Sequence, residues 1–408
     1  INIRSFIAPS NDLDQCSNTN TVAEIESSEK KAIFLEIQNL TAFRFKRGAN
    51  QRTNAPWVGD SDETERSDQT MKRISIFSDG TWNSPERGSP TNVLRMARAV
   101  APTDDSMKQI CFYDWGVGTD RETLKGGLRG AGIDKNIMDC YRFLVHNYDP
   151  GDKLYLFGFS RGAYTVRSLT GLIRNCGLLK REHAARIPDA YALYRKRTKR
   201  SSPNEKEAVD FRAAFAIADI TPIEFLGVWD TVGSLGIPVP FWGTLEEEKF
   251  LFHDLEPSKI VQHARHAVSI DENREDFQPS LWETEKDLDL EQVWFAGVHS
   301  DIGGGYKERG LSDIACKWII DEASKFGLVF EDHFTDLVTP DATDRMHNEY
   351  RRIYRLRDKV VRRIEGPIHR SVVDRWKSNA DDYQRKSKAM RQLLESADGD
   401  LSKVGVAE

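Results

Sequence analysis

Apolar and polar positions along this chain follow two periods, and the switches between them mark its elements. Ile74-Ser75-Ile76-Phe77 reads as a short strand that ends in Ser78-Asp79-Gly80-Thr81. Asn92 to Val100 has helical spacing and is stopped by Pro102; Gln109 to Tyr113 is a second strand. A glycine-rich loop follows, from Gly116 to Gly132. Asp134 is expected to cap a helix with apolar positions at Ile137, Tyr141, Leu144, Val145 and Tyr148. Asp149-Pro150-Gly151-Asp152 breaks that helix, and Lys153 to Phe159 is an apolar run of strand character. The next helix buries Ala163, Val166, Leu169, Ile173 and Cys176 and is closed by Gly177. Ile223 to Trp229 is the fourth strand, Val293 to Val298 the fifth, and a helix runs from about Ser312 to Phe326. Continuous apolar strands alternating with helices predict an α/β fold, a mostly parallel sheet flanked by helices.

Three segments depart from this rhythm. Residues 1–70 are rich in Ser, Asn, Thr, Asp and Glu, and the stretch from Gly59 to Asp68 reads as linker or disorder. Met71 stands just before the first strand, so 1–70 is expected to be a dispensable or non-native extension. Residues 236–290 form a lid-like insertion between the fourth and fifth strands, with Pro238-Val239-Pro240-Phe241-Trp242 and a helix near Ser258 to Val268. After about 335 the chain is charged and reads as helical, with Arg351, Arg352, Arg355, Arg357, Arg362, Arg363 and Arg370. The domain is expected over 71–376 and a charged helical tail over 377–408. The basic run is a solvated face or a peripheral membrane contact.

Composition narrows the function classes. The formal net charge of -6 argues against a nucleic-acid binder. Cys16, Cys111, Cys140, Cys176 and Cys316 are scattered without a Cys-x-x-Cys pair, so neither a metal site nor a disulfide framework is expected; the last four read as buried thiols. No run approaches a membrane span and no secretory leader is visible. The expectation is a cytoplasmic protein, or one exported by a specialised secretion system, with no cofactor. No oligomeric state follows from the pattern.

The chemistry concentrates at strand ends. Gly158-Phe159-Ser160-Arg161-Gly162 places a serine between a strand and a helix, the layout of a nucleophile elbow. Gly158 and Gly162 are expected because side chains there would collide with neighbouring backbone. A serine needs a base, and the base an orienting carboxylate. Asp230 ends the fourth strand and His299 ends the fifth. The order Ser160, Asp230, His299 is that of α/β-hydrolases. His253, His263, His266 and His369 are rival bases; Asp254, Asp271 and Asp301 are rival acids. The oxyanion donors are expected at Arg161 and at Gly80 and Thr81, with Asp79 and Asp301 as substrate or structural support. Asp79-Gly80-Thr81 also resembles the motif of haloacid-dehalogenase-type phosphatases, but Phe77 stands where their nucleophile would. Two alternatives to a serine ester hydrolase remain: a metal-dependent phosphohydrolase using Asp79, Asp230, His299 and Asp301, and a non-catalytic α/β binding scaffold.

Five motifs together carry a family resemblance: Phe77 to Asn83; Gly158 to Tyr164; Gly227 to Gly233; Arg265-His266-Ala267 with Asp271-Glu272; and Trp294 to Tyr306. They resemble the catalytic domain of the type VI secretion phospholipase effectors, from about 72 to 376. The resemblance implies an α/β-hydrolase fold, a Ser-Asp-His triad on Ser160, Asp230 and His299, and hydrolysis of carboxylic esters of phospholipids.

Overall fold

In the computed structural model, the residues described are 71–80, 88–104, 106–116, 129–196, 198–232, 259–283, 288–350 and 358–408. The strands among them are β1 (Lys72–Ser78), β2 (Lys108–Asp114), β3 (Lys153–Phe159), β4 (Ile223–Trp229), β5 (Val261–Ser269), β6 (Asp289–Phe295), β7 (Ile368–His369) and β8 (Val406–Ala407). They form one sheet in the order β2-β1-β3-β4-β5-β6-β7-β8. Every pairing is parallel. The principal helices are α1 (Asn92–Ala99), α2 (Arg129–Asn147), α3 (Arg161–Cys176), α4 (Ile187–Arg195), α5 (Lys206–Phe215), α6 (His299–Gly303), α7 (Gly310–Lys325), α8 (Arg370–Ser378) and α9 (Lys388–Ser396).

The central strands are apolar without alternation because both sheet faces are covered. Successive side chains of β3 point to opposite faces. Leu154 and Leu156 pack with Ile137, Tyr141, Val166 and Leu169 of α2 and α3. Tyr155 and Phe157 pack on the other face with Val93 and Met96 of α1 and Ile319 of α7. Each such side chain, fully buried, contributes about 1.5–3 kcal/mol relative to exposure. A third cluster joins Trp294, Ile368, Val372, Tyr383 and Met390, so the C-terminal segment packs as core.

The strand order places a crevice. The chain moves from β1 outward to β2, then returns to the other side of β1 for β3. Ligands of open parallel sheets meet the carboxyl ends of strands at such a reversal. Asp79 follows β1 there, and Ser160 follows β3.

Several expectations are corrected. Val261–Ser269 is the strand β5, not a helix. Its apolar residues Val261, Ala264, Ala267 and Val268 have helical spacing. Buried Arg265 and His266 fill the positions between them, and burial inside the sheet is made tolerable by polar partners. Arg265 Nε donates to Glu322 at 2.7 Å. The lid-like insertion therefore contains a sheet strand; Pro238 to Trp242 lie outside the described residues, as do 1–70 and Thr81. The strand before His299 is the sixth and ends at Phe295, and His299 opens α6. Asp134 lies within α2 rather than at its start and accepts a hydrogen bond from the Tyr191 hydroxyl at 2.6 Å. The stretch between 336 and 367 has no helix among its described residues. The boundary at 376 falls inside α8, and residues 406–407 supply β8. Cys140, Cys176 and Cys316 are buried, whereas Cys111, on the edge strand β2, is exposed.

Candidate active site

Ser160 sits where β3 turns into α3, at φ 59° and ψ -121°. An L-residue rarely adopts positive φ, and such strain clusters at functional sites. The turn is this tight because the crossing backbones nearly touch. A Cβ on Gly162 would lie 2.0 Å from the Ser78 carbonyl oxygen, and one on Gly158 would lie 2.5 Å from that of Gly162. Ser160 N donates to the Trp229 carbonyl at 3.1 Å, which ties the elbow to the end of β4. Arg161 is the first residue of α3, so its N–H belongs to the turn whose donors point out of the helix.

Asp230 follows Trp229 directly, also at positive φ (35°), and is wholly buried. Each carboxylate oxygen has two partners. Oδ1 accepts from Ser269 N at 3.0 Å and from Arg362 Nη1 at 2.5 Å. Oδ2 meets His299 Nδ1 at 2.6 Å and accepts from Arg362 Nη2 at 3.1 Å. Burial pushes the carboxyl up, but the Arg362 guanidinium and the bond to His299 outweigh it and hold Asp230 well below the ordinary carboxylate range. Arg362 itself is buried and also donates to the carbonyls of Ser269 and Phe277.

His299 is held from several sides. Its imidazole lies 4.5 Å from the Phe159 ring, beside the nucleophile turn, and 5.0 Å from Phe277 in an edge contact. Its backbone N–H donates to Glu272 Oε2 at 3.2 Å. Glu272 accepts from the backbones of Asn273 and Arg274 and is clasped by the Arg274 guanidinium. Burial lowers the His299 pKa, opposed by the Asp230 bond, and the balance leaves it below the ordinary histidine value. Burial thus favours the neutral ring, the form a general base needs.

The remaining residues go elsewhere. Asp301 accepts from Val298 N at the start of α6 and contacts His347 Nδ1 at 2.7 Å, so it partners a different histidine. Asp79 accepts from its neighbour Gly80 N at 2.7 Å, from the Tyr113 hydroxyl at 2.9 Å and from Thr91 Oγ1. The Gly80 N–H is thus engaged by a carboxylate. Asp271 accepts from Gly297 N and the Tyr383 hydroxyl. His263 pairs with Asp289, His266 is buried between Thr231 N and Gln292, and His369 caps α8. His253 and Asp254 lie outside the described residues. Among the described residues, no group of three or more His, Cys, Asp and Glu side chains is disposed to hold a metal ion.

Sequence reasoning missed Arg362, Ser269 and the role of Glu272. Arg362 stands among many tail arginines, and no local pattern separates it from them.

Residues 72–322 match the family described as "T6SS, Phospholipase effector Tle1-like, catalytic domain". Over 228 residues the chain is 32% identical to the uncharacterized protein YEL023C of Saccharomyces cerevisiae, a match covering 51% of this chain and 32% of that protein. The chain thus spans about a third of the length of this curated relative. A crystal structure of an uncharacterized protein from Pseudomonas aeruginosa is similar at 19% identity and a TM-score of 0.42, covering 67% of this chain and 50% of the other. The Tle1 effector bound to the VgrG spike of the type 6 secretion system is similar at 18% identity and a TM-score of 0.38, covering 64% and 56%.

Proposed function

The chain belongs to the T6SS phospholipase effector Tle1-like catalytic-domain family, and we propose that it is a serine ester hydrolase of the carboxylesterase or phospholipase A type. The observation that carries this reading is the buried 2.6 Å contact between His299 Nδ1 and Asp230 Oδ2, formed beside a serine held at φ 59°.

With Nδ1 donating to Asp230, the lone pair of His299 Nε2 accepts the Ser160 proton. Ser160 Oγ then bonds to the acyl carbon, and the carbonyl π electrons move onto oxygen. The Arg161 N–H is the assigned donor to that oxyanion; the Gly80 N–H is held by the Asp79 carboxylate and is not assigned to it. Collapse breaks the bond to the alcohol, which leaves with the proton from His299. Water repeats the sequence on the acyl-enzyme and frees the acid. Asp230 stays ionised throughout, a state that Arg362 favours, and stabilises the imidazolium. Asp79 and Asp301 act as structural support.

The family description names phospholipase effectors, and on that ground we take phospholipids as the substrate class, with export by a specialised secretion system and peripheral contact at a membrane surface. No helix among the described residues is long and apolar enough to cross a membrane. A fluorophosphonate probe tests the reading: it labels the wild type and not Ser160→Ala. Hydrolysis that a chelator abolishes and Ser160→Ala leaves intact would instead favour metal-dependent phosphohydrolysis.

A further inference from the structure

A cavity of about 310 Å³ adjoins the His299–Asp230 pair without being lined by Ser160, His299 or Phe277. Ile270, Val298, Met346, Val360 and Ala389 give it an apolar lining, and Lys359, Lys386 and Lys388 line it with exposed ammonium groups. Glu272 and Arg362 complete the wall shared with the candidate active site. These are the residues that bond His299 N and the Asp230 carboxylate.

The charge balance of this cavity is positive. Lys386 is paired with Asp381 at 2.7 Å, and the Lys359 ammonium lies 5.6 Å from the Tyr350 ring. Lys388 opens α9. The wall carries four cationic side chains, Lys359, Arg362, Lys386 and Lys388, against two carboxylates, Asp271 and Glu272. Glu272 is bound to Arg274 at 2.7 Å, and Asp271 accepts from Gly297 N and the Tyr383 hydroxyl. Burial pushes the Asp271 carboxyl up to about 6. His347, also on the wall, is held by Asp301, and its pKa is raised despite partial burial. Lysines act as mobile point charges, suited to an anion with several equivalent oxygens. The volume is at the lower end for small-molecule sites, room for a head group and a few carbons.

The geometry points to a second binding site here for a phosphate monoester of glycerophosphate size, its phosphate on Lys359 and Lys388 and its carbons on Val298, Val360 and Ala389. The same chemistry is presented by a small soluble phosphomonoester and by the head group of phosphatidic acid.

The test uses the full chain carrying Ser160→Ala, so that binding is read apart from any hydrolysis. Calorimetric titration with sn-glycerol 3-phosphate and with inorganic phosphate is set beside sedimentation with phosphatidylcholine vesicles, with and without phosphatidic acid. The expected result is saturable binding that weakens about ten-fold or more when Lys359→Gln and Lys388→Gln are combined, while Lys388→Arg retains it. Binding of the soluble ester identifies a small metabolite-like ligand; lysine-dependent binding of phosphatidic-acid vesicles alone identifies a lipid head group. Absence of binding in every arm, or binding indifferent to the paired glutamine substitutions, overturns the proposal. Circular dichroism of each variant checks that these exposed substitutions leave the fold intact.

Discussion

Arg362 grips Asp230 with both terminal nitrogens, Nη1 at 2.5 Å from Oδ1 and Nη2 at 3.1 Å from Oδ2, across 132 positions of sequence. Both side chains are buried, and the arginine comes from beyond the stretch that matches the family. Removing one partner leaves the other charge buried and unpaired. Arg362→Met is expected to cost about 3–5 kcal/mol in denaturant-induced unfolding. Adding Asp230→Asn to it should recover part of that stability and none of the activity. If the two substitutions prove additive in stability, the pair is not coupled.

Asp230 and Asp301 are both acids close to His299 in sequence or space, yet only Asp230 bonds its imidazole. Asp230→Asn leaves Arg362 buried without its carboxylate and so should also cost stability, and it should lower kcat by about 10^4-fold, because the imidazole loses its oriented tautomer. Asp301→Asn should weaken the cap of α6 and cost stability, with a far smaller effect on kcat. Steady-state kinetics on an ester substrate, with melting curves for both variants, decide it; the reverse ranking would reassign the acid.

Buried histidines set the acid limb. Burial lowers His266 to about 3, and His299 also lies below its ordinary value, so the unfolded chain binds more protons than the native one as pH falls below 6.5. Each contribution is therefore complete above that pH and declines as pH drops toward the folded-state value. For His266 this amounts to about 1.4 kcal/mol per pH unit. Urea titrations at pH 7 and pH 5 should differ by about 2 kcal/mol from this residue alone. Activity should follow the same sign, rising with pH through a His299 limb below 6.5. An acid limb well above that value would contradict the neutral, buried imidazole.

The elbow admits no side chain at its second glycine. Gly162→Ala would bring a Cβ within 2.0 Å of the Ser78 oxygen, a contact with backbone that no rotamer change relieves. Either β1 and α3 separate or the turn opens. Soluble expression, melting temperature and fluorophosphonate labelling should all fall. A variant that melts and labels like the wild type would show that the turn is looser than described.

Much of this arrangement was legible in the chain. Strand β3 from Leu154 and strand β4 from Phe225 are continuous apolar runs because both their faces are covered, and that signal survives without any tertiary information. Ser160 and its two glycines announce a tight strand-to-helix turn by residue type alone, and Asp230 follows its strand directly. Strand β5 was not legible. Its buried Arg265 and His266 break the apolar run, and only their partners Glu322 and Gln292, from distant positions, make a buried strand of it.

What the sequence determined by itself was the local chemistry: where the chain turns, which residue types stand at strand ends, and in what order. What only the tertiary structure decided was which charge meets which. Among the arginines after residue 335, local pattern could not single out the one that reaches Asp230. Burial and ion pairing depend on the path of the whole chain, and that path brings Arg362 inside and leaves Arg363 in solvent.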